Sequence, residues 1–223
     1  HNKYEKAQVL VGKLLEGMNI AVITDAGTPG ISDPGEELVK MAYEAGIEVT
    51  SLPGACACVT ALTLSGLSTR RFVFEAFLPP DKKEHKLALE RLKNETRTMI
   101  VYEAPHHLLK TLRELLETLG NRRLTICREL TKKHETAWQT TMEDAITRYE
   151  QEDPKGECVL VIEGRSQKEI EDEAKAAFEE ISIEEHMKRY EDQGITRKEA
   201  MKLVAKDRGV TKRDIYQYLL GKE

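Results

Sequence analysis

Long apolar runs are missing from this chain of 223 residues. The longest, Ile20–Ile23 and Cys158–Ile162, fall far short of the roughly 18–20 residues that cross a bilayer, so a membrane-spanning helix is excluded. Cysteine is scarce: Cys56, Cys58, Cys127 and Cys158 contain no C-x-x-C pair and have no histidine at zinc spacing. That pattern excludes a disulfide scaffold and a zinc ribbon, and it predicts buried thiols in a reducing, cytoplasmic compartment with no metal centre. No signal-peptide pattern is visible in a sequence that opens on His1 rather than Met. A phosphate loop of the G-x-x-x-x-G-K type, a G-x-G-x-x-G turn and a G-x-S-x-G elbow are all missing, which argues against a P-loop enzyme and a serine hydrolase. Positive charge is not in excess either. With 34 Lys and Arg against 39 Asp and Glu the net charge is −5, so any polyanionic partner must be met by a local basic surface.

What is present is an alternation of strand-like and helix-like segments. Strands are expected at 19–24, 47–52, 71–78, 98–103, 124–129 and 157–163, with helices at 36–45, 55–65, 83–93, 106–119 and 142–149. This order predicts α/β layers around an at least partly parallel sheet. After Gly164 no strand pattern remains. Helices are expected at 168–180, 183–192, 197–207 and 212–220, with a capping box at Thr196–Glu199 and a weaker relative at Thr211–Asp214. Ala200, Leu203 and Val204 are expected on one inner face of this tail, and Ile215, Tyr218 and Leu219 on the other. Charge divides here as well: residues 167–193 hold four basic and ten acidic side chains, net −6, and residues 194–223 hold eight and four, net +4. The expected units are 1–70, 71–165 and 166–223.

Chemistry-bearing residues gather at strand ends. Thr24–Gly35 packs three glycines and two prolines between a strand and a helix, where an open α/β sheet presents its crevice; it reads as a ligand loop or as a structural turn. Pro53–Cys58 is a second strand-to-helix turn with small residues, either a second wall of that pocket or a close helix–sheet contact. Tyr102 and Glu103 end a third strand, followed by Pro105, His106 and His107. Two adjacent histidines on a helix start point about 100° apart, which disfavours a shared metal. Arg128–Glu135 places dense charge just past a fourth strand. The basic tail has the size and sign of a small helical nucleic-acid module, or of an ordinary helical hairpin with a solvated side.

Taken in order, TDAGTPGISDPG (24–35), LPGACA (52–57), RFVFEAFLP (71–79), YEAPH (102–106), RELTKKHE (128–135) and GECVLVIEG (156–164) resemble the tetrapyrrole methylase superfamily and, within it, the bacterial ribosomal RNA small-subunit methyltransferase I family. The resemblance covers nearly all of residues 1–165, and the tail more loosely. It implies two α/β domains of the tetrapyrrole methylase type, the first incomplete, followed by a small all-helical C-terminal domain. The family begins with a further strand, a Pro-rich loop and an Ala-Glu-Asp-Thr-Arg motif that do not occur here. It also implies S-adenosyl-L-methionine as cofactor, a homodimer, and 2′-O-methylation of a cytidine ribose in the decoding region of 16S ribosomal RNA in the 30S subunit. Under it, Asp25, Ala26, Gly27, Thr28 and Ile31 would line the cofactor with Cys56 and Ala57, and Tyr102, Glu103, Glu129, Leu130 and Thr131 would supply the second wall.

A sulfonium methyl carries its own activation and needs no metal, but the attacking hydroxyl needs a proton acceptor and charge stabilisation. Glu103, Glu129 and Lys132 are the expected catalytic groups, with Arg128 and Glu135 beside them. Arg128 and the tail residues Arg197, Lys198, Lys202, Lys206, Arg208, Lys212 and Arg213 are the expected RNA contacts. Two other readings are a tetrapyrrole or precorrin C-methyltransferase, and a non-catalytic fragment, since the family's first segment does not occur here.

Overall fold

The computed structural model describes residues 2–220, and the chain forms two compact units, one up to Gly164 and one from Arg165. In the first, α1 (Asn2–Leu15) packs on α2 (Glu36–Glu44), and Ala7, Val11 and Ala42 are their buried residues. Then come α3 (Ala57–Leu64), β1 (Phe72–Phe77), α4 (Lys82–Lys93), β2 (Thr98–Glu103), a 3-10 turn at Pro105–His107, α5 (Leu108–Leu119), β3 (Arg123–Arg128), β4 (Thr136–Thr141), α6 (Met142–Tyr149) and β5 (Cys158–Ile162).

The five strands form one sheet in the order β1-β2-β5-β3-β4, parallel between β1 and β2 and antiparallel elsewhere. The central strands are buried on both faces, which explains their continuous apolar runs. Successive residues alternate between two cores. Met99, Val101, Leu124, Ile126, Leu160 and Ile162 face α4, α5 and α6, where Leu108, Leu112, Leu115 and Leu119 of α5 meet them. Burying each of these leucines contributes about 1.5–3 kcal/mol. Ile100, Cys127, Val159 and Val161 face the other way, toward Cys58, Ala61 and Leu62 of α3.

The α/β class stands, but two expected strands do not form. Residues 19–24 and 47–52 carry no regular structure, and Ile23 and Leu52 are 86% and 83% exposed. Among the described residues neither run has a ladder partner, and an apolar run without one has nowhere to place its amides. A strand absent from the sequence reading appears instead at β4. TAWQTT lacks alternation, yet it pairs with the whole length of β3 as an edge strand. Helix α1 was likewise not anticipated.

The second unit holds α7 (Gln167–Glu179), α8 (Ile183–Glu191), α9 (Arg197–Asp207) and α10 (Lys212–Leu220) around Met187, Ala200, Val204, Ala205 and Ile215. Leu203 is only partly buried and Tyr218 is exposed; Met201 and Leu219 complete the inner faces in their place. The capping boxes also differ from expectation. Thr196 gives its hydroxyl to the Glu199 carboxylate rather than accepting an amide. Reciprocal caps form at Ser166–Glu169 and at Thr211–Asp214.

This unit also buries a polar group. His186 is 1% exposed, stacked 4.2 Å from Phe178, with Nδ1 accepting from Arg208 and Nε2 lying 3.3 Å from the Asp207 carboxylate. Asp207 also accepts from the Tyr190 hydroxyl, which pushes that phenol up to about 12.

Candidate active site

The first glycine loop and the second turn are joined. The Thr28 amide and hydroxyl both donate to the Ala55 carbonyl, at 2.9 and 3.1 Å. A Cβ on Gly27, whose φ is +77°, would sit 3.0 Å from that carbonyl, and one on Gly54 would lie 2.8 Å from the Thr28 hydroxyl. The glycines are therefore what lets the two turns touch. Asp25, Ala26 and Gly27 remain exposed beside this contact, as do Ile31 and Ala57.

Cys56 caps α3, and its sulfur lies 3.3 Å from that of Cys58. Burial, reinforced by the Cys56 contact, pushes the Cys58 thiol up to about 11. Tyr102 reaches the same spot from β2, its hydroxyl interacting with Cys58; burial and the two thiols push its phenol well above its ordinary value. The ring makes T-shaped pairs with Phe74 and Phe77, with centroids 5.0 and 5.7 Å apart. Residues three apart on a regular strand face opposite ways. A bulge between Phe74 and Ala76, with Ala76 at φ 53°, turns both phenylalanines to Tyr102. Cys56, Tyr102 and Leu130 pack against one cluster, so three of the expected cofactor residues from three separate segments meet on one sheet face.

The loop after β3 is strained. Glu129 and Thr131 adopt φ of 50° and 65° without being glycine. Lys132 Nζ lies 3.2 Å from Glu129 Oε1, and the Thr131 amide donates to Glu135. Glu129 lies directly over Gly156, where any side chain would overlap its carboxylate. Gly156 and the two phenylalanines fall within motifs visible in the sequence, but nothing there places them against Glu129 and Tyr102.

Three expected residues fall elsewhere. Glu103 is 8% exposed on the opposite sheet face, where its oxygens accept from the Ala104 amide at 2.7 Å and the Thr111 hydroxyl at 2.6 Å. Arg128 occupies the same ladder row, across Cys158 from Glu103, and its guanidinium donates to the Lys155 carbonyl. In the helical unit Arg208 is committed to the Ile181 and Ser182 carbonyls and to His186. Lys198, Lys202 and Lys206 lie exposed along one stripe of α9, with Arg197, Lys212 and Arg213 near them in sequence; among the described residues none of these six joins an ion pair. Among the described residues there is also no cluster of three or more His, Cys, Asp or Glu that could hold a metal, and no helix long and apolar enough to cross a membrane.

The family model for tetrapyrrole (corrin/porphyrin) methylases matches residues 1–146. The Ribosomal RNA small subunit methyltransferase I of Synechocystis sp. is 44% identical over 224 residues, covering 100% of this chain and 78% of the relative. Its namesakes in Bacillus subtilis and Escherichia coli O157:H7 are 43% and 39% identical, covering 97% and 100% of this chain and 74% and 76% of theirs. Among solved structures, the methyltransferase CobJ superposes with a TM-score of 0.56 at 20% identity, over 73% of this chain and 71% of its own, a likeness of fold. The chain belongs to the tetrapyrrole methylase family, in its ribosomal RNA small subunit methyltransferase I branch.

Proposed function

We propose that the protein transfers the methyl group of S-adenosyl-L-methionine to the ribose 2′-hydroxyl of a cytidine in the decoding region of 16S ribosomal RNA, acting on the 30S subunit in the cytoplasm. The reading is carried by the 44% identity across the full chain to a relative named for small-subunit ribosomal RNA methylation. The cofactor supplies a methyl group already activated on a sulfonium. The residues fit such a molecule, which has polar and apolar ends: exposed loop backbone and a carboxylate at Asp25–Thr28, apolar Ile31, and a thiol and phenol at Cys56 and Tyr102. In this reading the halves 1–70 and 71–165 form its two walls, with Ala57, Leu130 and Thr131 completing them.

Glu129 and Lys132 supply the proton acceptor and the compensating charge. Their mutual contact and the strained backbone that presents them support this assignment. Glu103, with both oxygens taken on the far face, anchors the start of α5 instead. Exposed large apolar side chains in the first unit, Leu87 apart, all lie between Tyr4 and Phe77, which supports self-association into a homodimer through that half.

Calorimetric titration with S-adenosyl-L-methionine, followed by methylation of 30S subunits that lack the modification, tests the proposal. Nuclease digestion and mass spectrometry should find one 2′-O-methylcytidine per subunit. Methyl transfer to a base, or to a precorrin and not to RNA, would overturn it.

A further inference from the structure

We propose that the helical unit carries a site for one unpaired nucleobase, in the groove between α9 and α10, with Tyr216 as its stacking platform. This rests on the reading of RNA as substrate and deepens it: the tail would select single-stranded or looped RNA rather than merely attract a polyanion. Arg197 and Met201 are one turn apart on α9, and Tyr216, Leu219 and Leu220 share a stripe of α10; together they line a groove of about 230 Å³. The space is below the range of a drug-sized ligand pocket and suits a single planar ring system.

Two further observations favour a base over an apolar protein segment. Large exposed apolar side chains in this unit are confined, among the described residues, to positions 210–220; Tyr216 and Leu220 in the groove are 52% and 50% exposed. Of these exposed apolar side chains Tyr216 and Leu220 line the groove, and Val210 and Tyr218 lie outside it. The one charged side chain that lines the groove among the described residues is basic, and a basic stripe lies on the neighbouring face of the same helix. Arg197 stands at its rim, and Lys198, Lys202 and Lys206 form a stripe beginning about 100° further round α9. A base on the Tyr216 ring, with its flanking phosphates at Arg197 and the lysine stripe, uses both features. Aromatic stacking beside a basic track is how single strands are held without reading sequence. A duplex, its bases already stacked, would meet the lysines but leave the groove empty.

The test is fluorescence anisotropy with a single-stranded oligoribonucleotide and with a blunt duplex of the same composition, across a salt series, using the full chain. Tyr216→Ala should weaken single-strand binding by about 5- to 100-fold. Tyr216→Phe, which keeps the ring, should restore it to within about twofold of the parent, and duplex binding should not respond to either change. Lys202→Ala should instead weaken both RNAs and lower the salt slope by about one. Equal losses on duplex and single strand, or no loss in Tyr216→Ala, would overturn the base site while leaving RNA as the substrate. If the parent binds neither RNA, the base site falls together with the reading it rests on. Unchanged RNA binding with a changed sedimentation profile in Tyr216→Ala would assign the groove to protein association.

Discussion

Residues 19–24 and 158–162 look alike on paper. Each is a short aliphatic run bounded by turn-formers, and each reads as a buried strand. In the structure they have opposite fates. Cys158–Ile162 lies between β2 and β3, bonded on both edges and buried on both faces. Residues 19–24 pair with nothing among the described residues, and Ile23 stands 86% exposed. Residues 47–52 repeat the second case. Apolar content announces that a run wants burial, but a strand also needs neighbours to take its amides. A strand is thus a property of a pair, and the same reasoning sorts the side chains of the site.

The comparison breaks most visibly in stability. Leu160→Ala removes a side chain from the centre of the sheet and should cost about 2–5 kcal/mol in urea denaturation. Ile23→Ala should fall within about 0.5 kcal/mol of the parent, as exposed positions do. An Ile23→Ala cost comparable to that of Leu160→Ala would mean that residues 19–24 are covered in solution by another surface, and the contrast would be lost. The same pair measured at rising protein concentration sharpens it, because cover by a second copy would make the Ile23→Ala cost depend on concentration.

The next effect separates two carboxylates at the ends of strands, Glu103 closing β2 and Glu129 just past β3, that look interchangeable in sequence. Glu129→Gln should lower turnover by about a hundredfold, the lower end of what a positioned base contributes, with cofactor affinity kept. Glu103→Gln should leave turnover within a few-fold. Its loss is structural: a neutral amide cannot accept from both the Ala104 amide and the Thr111 hydroxyl as the carboxylate does, which costs about 1–3 kcal/mol. Steady-state rates alongside thermal melts distinguish them. A reversed pattern would return the acceptor role to Glu103 and leave Glu129 as a loop brace.

Much of this was legible beforehand because it is local. The periodicity of Leu108, Leu112, Leu115 and Leu119 placed α5, and the continuous runs at 98–103 and 157–163 placed the two most buried strands. Six ordered motifs pointed to the family now shown for the chain. What escaped depends on partners distant in sequence. β4 is polar and exists through the ladder it makes with β3. The face Glu103 chooses follows from strand phase, which is fixed by the pairing of β2 rather than by its own residues. The bulge that aims both Phe74 and Phe77 at Tyr102 leaves no mark in RFVFEAFLP, where their spacing of three would place them on opposite faces. Arg208 looked like one more free cation in a basic tail; its bonds to the Ile181 and Ser182 carbonyls join segments nearly thirty residues apart.

The smallest expected effect concerns a group whose partners are complete. His186 lies in a cage of Phe178, Tyr190, Asp207 and Arg208, with Arg189 nearby, whereas the sheet cores contain no histidine. Burial, and after it the positive charge of Arg208, lowers its pKa; Asp207 opposes them without prevailing. The ring is then neutral in the folded unit, and its lone pair at Nδ1 accepts from Arg208. An unfolded histidine titrates near its ordinary value of about 6.5, so below that pH the unfolded state binds more protons. The stability His186 contributes is present above this range and is lost as pH falls through the lowered folded value. Hydrogen-exchange protection in α8 and α9, corrected for intrinsic rates, should drop between pH 7.5 and 5.0, while protection in β2, β3 and β5 stays level. His186→Phe should flatten the response of α8 and α9. Protection that rises on acidification would mean that the folded ring is charged and that Asp207 governs it, which would reverse the sign of this part of the comparison.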